Sequence, residues 1–346
     1  MKTFLQPLQN LAEMEELQKL AGKNRGVIAV SGCMESQKAH LMYGLSGLFP
    51  CHLILSEDER SAKQIYEDYR FYDRDVLYYP ARDLLFFQAD IHGNLIIRQR
   101  MQVIKALLTR EEVTVVTSVD GCMDFLGSLE NIKKQLICFR NDSALDLDKL
   151  KDSLVQMGYE RVGQVEMPGQ FSIRGGIVDI YALTEENPWR IELWGDEIDS
   201  IRSFDAQSQR SLENLEEIVI YPAAEQQAEN SGITFPDYFP ADKTLIFLDE
   251  PNRLVENAQA VEEEFSQSCR NREEKGTANI SRGWMCGWND LQKKLNRRNC
   301  ISFSSLEPKK TGWDLTGNFN LTVKSMNSYQ SSFELLVKDL KQYKKR

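Results

Sequence analysis

The strongest constraint on the fold of this chain is a change in the rhythm of its apolar runs. Up to about residue 125, short apolar or β-branched runs ("GVIAV", "HLILS", "VLYYP", "VTVVTS") alternate with helical patterns such as "ERSAKQIYEDYRFY" and "LIIRQRMQVIKALLTRE". That alternation predicts an α/β layer fold with a largely parallel sheet. After about 126 the rhythm breaks. "LDLDKLKDSLVQMGYERV" reads as one helix, apolar at Leu147, Leu150, Leu154 and Met157, with Asp146 or Asp148 near its start and Gly158 at its end. Strands then follow one another without helices: "GQFSIRGGIVDIYAL", "WRIELW" and "IDSIRSFD", the last two joined by turn chemistry at Gly195-Asp196. The α/β rhythm returns at "TLIFLDEPNRL". The pattern predicts one parallel-sheet domain, residues 1–125 and 223–346, interrupted by a small α+β unit at 126–222.

The first run leads into "VSGCMESQKAH", which has the strand–loop–helix setting of a phosphate-binding P-loop, G-x-x-x-x-G-K-[ST]. Gly32 and Lys38 match that template. Gln37 stands where the second glycine belongs, and its Cβ crowds a loop whose backbone N–H groups must close around phosphate oxygens. Ala39 replaces the Ser/Thr whose hydroxyl is a ligand to Mg²⁺. "TLIFLDE" completes the outline: Asp249 and Glu250 hold the places of the Mg²⁺-binding and water-orienting carboxylates at the end of an apolar strand. The residues predict a RecA/helicase-like fold with a degenerate P-loop, no catalytic residue and no cofactor.

Composition narrows the classes further. The N-terminal stretch is too polar for a secretory signal, and no apolar run approaches the ~20 residues of a membrane span, so a soluble, cytoplasmic chain is expected. Seven cysteines form no C-x-x-C, and with only three histidines no zinc constellation appears. His40, on a candidate helix, reads as structural. A formal net charge of −10 opposes broad electrostatic binding to nucleic acid. The tail carries an amphipathic stripe of Tyr329, Phe333, Leu336, Val337, Leu340 and Tyr343, and "GWMCGWNDLQKKLNRRN" reads as a buried helix with one solvated face.

"GYERV", "FSIRGGIVDIY", "RIELW", "DEIDSIRSFD" and "QRS", in that order, resemble the UvrB family of bacterial nucleotide excision repair. Together with "YPARDLLFFQADIHGNLIIRQRM", they are most similar to the UvrB-homology module of transcription-repair coupling factors. The UvrB clamp hairpin would follow "VLYYP", where only "ARDLLFFQAD" intervenes. "DEPN" stands where UvrB has an Asp-Glu-Ser-His box. The resemblance therefore implies a non-catalytic module with weak or no DNA binding. The alternative it leaves is an active, ATP-dependent damaged-DNA-binding protein of the UvrB type. It also implies that the module is a fragment of a longer protein with RNA-polymerase-binding and translocase regions, whose motor it restrains when its partner face is masked.

The inserted unit carries the expected partner face. In "WRIELW" strand periodicity puts Ile191 and Leu193 on the core side and Arg190, Glu192 and Trp194 on the other. "FSIR" alternates likewise, with Phe171 and Ile173 inward and Ser172 and Arg174 outward. Arginines at such positions are expected to contribute less than about 0.5 kcal/mol to stability. The resemblance implies that this face binds UvrA and carries over the contact positions as Arg174, Arg190 and Trp194. The family more often has Phe at the last of these.

Overall fold

The computed structural model describes residues 5, 6, 8, 12–21, 25–82, 91–223, 228–275, 281–307, 312–321, 329 and 332–344. Its strands are β1 (Gly26–Ser31), β2 (Cys51–Ser56), β3 (Leu77–Tyr79), β4 (Val113–Ser118), β5 (Ile137–Arg140), β6 (Glu160–Arg161), β7 (Gln170–Arg174), β8 (Ile177–Ile180), β9 (Trp189–Trp194), β10 (Glu197–Phe204), β11 (Ser211–Leu215), β12 (Glu217–Ile220), β13 (Thr244–Asp249), β14 (Asn299–Phe303) and β15 (Leu315–Asn320). Its helices are α1 (Ala12–Ala21), α2 (Glu35–Leu45), α3 (Glu59–Tyr69), α4 (Ile91–Thr109), α5 (Leu129–Gln135), α6 (Leu147–Gln156), α7 (Pro251–Glu274), α8 (Trp288–Asn296) and α9 (Phe333–Tyr343).

Seven strands form one parallel sheet in the order β15-β1-β14-β13-β2-β4-β3. β1, β2, β4 and β13 are buried at every position, because helices cover both faces. That double burial is why these strands read as continuous apolar runs rather than alternations. On one face Ile28, Val30, Ile54, Phe247 and Phe303 pack with Met14 and Leu17 of α1, Leu41 and Leu45 of α2 and Ile65 of α3. On the other, Leu53, Leu55 and Val115 pack with Met101 and Ile104 of α4, Leu254 of α7 and Leu291 of α8. The protein is an α/β, RecA/helicase-like parallel-sheet fold with a separate sheet unit.

That separate sheet has the order β11-β10-β9-β8-β7-β6; all neighbours are antiparallel except β6 and β7. β5 and β12 form a two-stranded ladder beside it. α6 is capped by Asp146, whose carboxylate accepts from Asp148 N and Lys149 N at 3.2 and 3.1 Å, and Gly158 takes φ 89° just beyond it. The Phe171, Val178, Ile191 and Ile201 side chains join the same apolar cluster as α4 and β4. Polar ties add to this. Arg98 Nη2 of α4 donates to Glu185 O at 3.1 Å, and Lys105 pairs with the Glu185 carboxylate.

Several features differ from the sequence reading or lie beyond it. Ser172 is buried, and its hydroxyl donates to Gly163 O at 3.0 Å, so the outward row of β7 is covered there. The stretch around 255–325, to which the sequence assigned no common role, supplies α7, α8 and the strands β14 and β15. The apolar stripe of α9 leaves Phe333, Val337 and Leu340 exposed; the Tyr343 side chain lies outside the described residues. "ARDLLFFQAD" lies outside them from residue 83 onward. Among the described residues no helix is long and apolar enough to cross a membrane. The His40 ring stacks on Tyr72, with centroids 5.3 Å apart.

Candidate functional site

Two places gather the residues singled out above. The first lies at the carboxyl ends of β1 and β13. α2 begins at Glu35, so Gln37 and Lys38 already lie in its first turns and the loop before it is short. Two N–H groups here are engaged: Cys33 N of the loop donates to Ser304 O at 3.1 Å, and Gln37 N, in the first turn of α2, to Met34 O at 2.9 Å. Gly32 has φ 78°, and a Cβ there would stand 2.2 Å from Leu321 O. The chain leaving β15 therefore runs directly against the turn, with Leu321 N donating to Ser31 O at 2.9 Å.

Lys38 is fully buried. Its ammonium donates to Asp249 Oδ1 at 2.7 Å, to Glu250 Oε1 at 2.8 Å and to Glu35 Oε1 at 2.8 Å. These three bonds use every N–H of an ammonium. Burial alone would lower the Lys38 pKa, but the Asp249 charge and the carboxylate hydrogen bonds outweigh it and raise the group above its ordinary value. For Asp249 burial prevails over Lys38 and raises the carboxyl. For Glu250 burial is outweighed by Lys38 and Ser305, and the carboxyl falls below its ordinary range. Asp249 Oδ2 also accepts from Ser56 Oγ at 3.0 Å. Glu250 Oε1 accepts from Ser305 N and Oγ at 2.9 and 2.8 Å. Glu250 itself takes the left-handed conformation, φ 47°, immediately before α7. Ala39 is buried and offers no oxygen, and Gln37 Oε1 is buried without a partner among the described residues. Burial pushes the neighbouring Cys33 thiol up to about 12, so it stays neutral.

The second place is the outer face of the six-stranded sheet. β8 and β9 put Asp179 directly opposite Arg190, and β7 puts Ser172 opposite Asp179. Arg190 Nε and Nη2 donate to the two Asp179 oxygens at 2.7 and 2.8 Å, a bidentate fork. Arg174 Nη2 donates to Asp179 Oδ2 at 2.8 Å. Arg190 Nη2 also reaches Gln209 Oε1 at 3.0 Å, and its guanidinium lies 4.4 Å above the Phe204 ring. The Asp179 hydrogen bond holds the Arg190 guanidinium above its ordinary pKa. Beside them Glu192 pairs with Arg202. Trp194, at the end of β9, is 84% exposed.

Three residues expected to project from this face thus fall into different environments. The Arg174 side chain is 48% exposed and the Arg190 side chain 15%, while Asp179 is buried at 1%. Arg190 is not the free surface cation that strand periodicity suggests. It is the counter-ion of a buried carboxylate. Asp179 escaped the sequence reading, although a carboxylate inside the apolar run "GGIVDIYAL" is a signal of a cation on the next strand. Glu35 and Ser305, which complete the Lys38 cluster, carry no motif and become visible only through the fold.

Residues 137–225 match the family described as the UvrB interaction domain. The chain is 37% identical over 211 residues to the transcription-repair-coupling factor of Bacillus subtilis, covering 57% of this chain and 18% of that protein. It is 31% identical over 221 residues to the same factor of Staphylococcus haemolyticus, covering 63% and 19%. It is 32% identical over 189 residues to UvrABC system protein B of Thermotoga maritima, covering 50% and 28%. The chain thus spans less than a third of the length of these relatives, all of them named for DNA repair systems. The match to a UvrB interaction domain falls within the separate sheet unit, set against a helicase-like α/β sheet, and the chain is similar to part of the transcription-repair-coupling factors.

Proposed function

We propose that this chain is a non-catalytic, UvrB-like adaptor whose inserted sheet binds UvrA and brings it to stalled transcription complexes in nucleotide excision repair. The observation that carries the non-catalytic half is Lys38. In a working P-loop the lysine reaches the β- and γ-phosphates. Here all three of its N–H groups are given to carboxylates, and two of these, Asp249 and Glu250, stand where Mg²⁺ and water would be served. With Gln37 and Ala39 in place and Leu321 O against Gly32, the residues do not fit Mg-ATP. The UvrB-type ATPase alternative is correspondingly disfavoured.

The adaptor half rests on Trp194 and Arg174, an exposed aromatic and a half-exposed arginine on one sheet face within the matched domain. Trp and Arg are the residues most enriched among interface hot spots. The reading includes a cytoplasmic location and weak duplex-DNA binding, in keeping with the net charge of −10. In a full-length coupling factor, covering the same face with another domain would restrain the motor. Calorimetric titration with Mg-ATP is expected to show no binding below millimolar concentration, and titration with purified UvrA a stoichiometric complex. Micromolar ATP binding would overturn the first half, and absence of a UvrA complex the second.

A further inference from the structure

Asp179 presents a physical puzzle. A strand face gains nothing in stability from a buried carboxylate, since exchanging a buried ion cluster for apolar side chains is often neutral or stabilising. Yet Asp179 is buried and accepts three guanidinium hydrogen bonds, at 2.7, 2.8 and 2.8 Å. Two arginines converge on it from different strands, Arg174 at the end of β7 and Arg190 near the start of β9. Arg190 is further held by Gln209 and the Phe204 ring. Gln209 is itself fixed: it takes φ 58°, and its amide donates to Ala206 O at 2.8 Å. After these bonds Arg174 retains Nε and Nη1, and Arg190 retains Nη1, without a partner among the described residues.

We propose that Asp179 is the positioning residue of the partner-binding face: it holds the Arg174 and Arg190 guanidiniums in one fixed arrangement, with their remaining N–H groups ready for carboxylates on the partner. The inference rests on the adaptor reading above. Fixing the arginines beforehand removes rotamer freedom that binding would otherwise have to remove. A guanidinium can serve two carboxylates at once because its five donors occupy two edges of a rigid plane. Asp179 thus acts on the partner through the arginines and makes no contact itself. The Trp194 side chain supplies the apolar part of the same face.

The test is a double-mutant cycle in UvrA binding, using the whole chain, with thermal melts of every variant. Asp179→Asn keeps the shape and removes the charge. It is expected to weaken UvrA binding at least fivefold in the wild-type background. On Arg174→Ala its effect should shrink to less than half of that factor, because one of the groups it positions is gone. If the two losses multiply, Asp179 acts only through general stability and the inference is overturned. Normal binding by folded Asp179→Asn, with Arg174→Ala and Trp194→Ala both impaired, overturns the inference and leaves the adaptor reading standing. Normal binding by Arg174→Ala and Trp194→Ala overturns both. Should Asp179→Asn fail to fold, Asp179→Glu retains the charge but displaces both guanidiniums by a methylene. It is expected to weaken binding at least threefold, and unchanged binding by that variant overturns the proposal.

Discussion

Arg190 and Trp194 lie on the same strand face, four positions apart, yet they should respond to truncation in opposite ways. Arg190→Ala removes the bidentate partner of a buried carboxylate. Breaking a buried pair from one side typically costs about 3–5 kcal/mol; the remaining Arg174 bond and the partial exposure of Arg190 reduce this to roughly 2 kcal/mol. Trp194→Ala should change stability by less than about 0.5 kcal/mol, since the ring is 84% exposed. It should nevertheless weaken UvrA binding tenfold or more, as hot-spot truncations do. Urea unfolding of both variants, read beside UvrA titrations, checks the contrast. An early-melting Trp194→Ala would mean that the ring is part of the core. Lys38→Ala belongs at this scale too. It strands the buried Asp249 carboxylate and removes one partner of the partly buried Glu250, and a loss of about 3 kcal/mol is expected in the same unfolding experiment.

Among elements, the turn from β1 to α2 holds its P-loop-like residues by contacts that involve no phosphate. Gly32 is retained by the α/β turn for two reasons independent of phosphate: its φ of 78°, and the Leu321 carbonyl where a Cβ would stand. Gly32→Ala should therefore lower stability by roughly 2–3 kcal/mol, while Gly47→Ala, which opens onto free space, should stay within about 0.5 kcal/mol. Urea midpoints of the two variants give the comparison, and equal midpoints would contradict the steric account. α3, α4, α6 and α8 and the fully buried strands were legible in the sequence, because double burial writes continuous apolar runs and helical periodicity shows in a short window, whereas α1, α5 and α7 were not read from it. β15 was not legible. "LTGNFN" is polar and glycine-containing, and it becomes a strand because it pairs with the edge of β1. The pairing of Arg190 with Asp179 was not legible for a related reason. Periodicity gives the side of a strand, and only the neighbouring strand reveals the carboxylate that covers it.

For the molecule as a whole, acid should act through a histidine remote from either site. His52, on β2, is buried, and burial lowers its pKa from 6.5 to about 4. Between those pH values the unfolded chain binds a proton that the folded chain does not, so stability falls as pH falls. At pH 5 the loss relative to pH 7 is about 2 kcal/mol from this group alone. His52→Asn should remove that share of the slope, measured by urea unfolding at pH 7 and pH 5 for both proteins. An unchanged slope would show that His52 does not hold the proton difference. The candidate sites divide in the same way between what a chain can announce and what only a fold assembles. Gly32, Gln37, Lys38, Ala39, Asp249 and Glu250 were recognisable by motif position, and Arg174, Arg190 and Trp194 by resemblance. Asp179, Glu35 and Ser305 were not, because their roles arise from side chains supplied by other strands and loops.

The late pairing of β1 also has a consequence for how the protein is made. Both neighbours of β1, β14 and β15, come from the far end of the chain; the Ser31 Oγ to Phe319 O contact spans 288 residues. At about 5–20 residues per second on the ribosome, β1 waits roughly 15–60 s for its last partner. Meanwhile β7 to β11, each paired with its sequence neighbour, can close as local hairpins. The six-stranded sheet is thus expected to acquire protease resistance on the nascent chain before the α/β sheet does. Pulse proteolysis of stalled ribosome complexes ending near residues 240 and 346 would show the order. An α/β sheet protected first would reverse it.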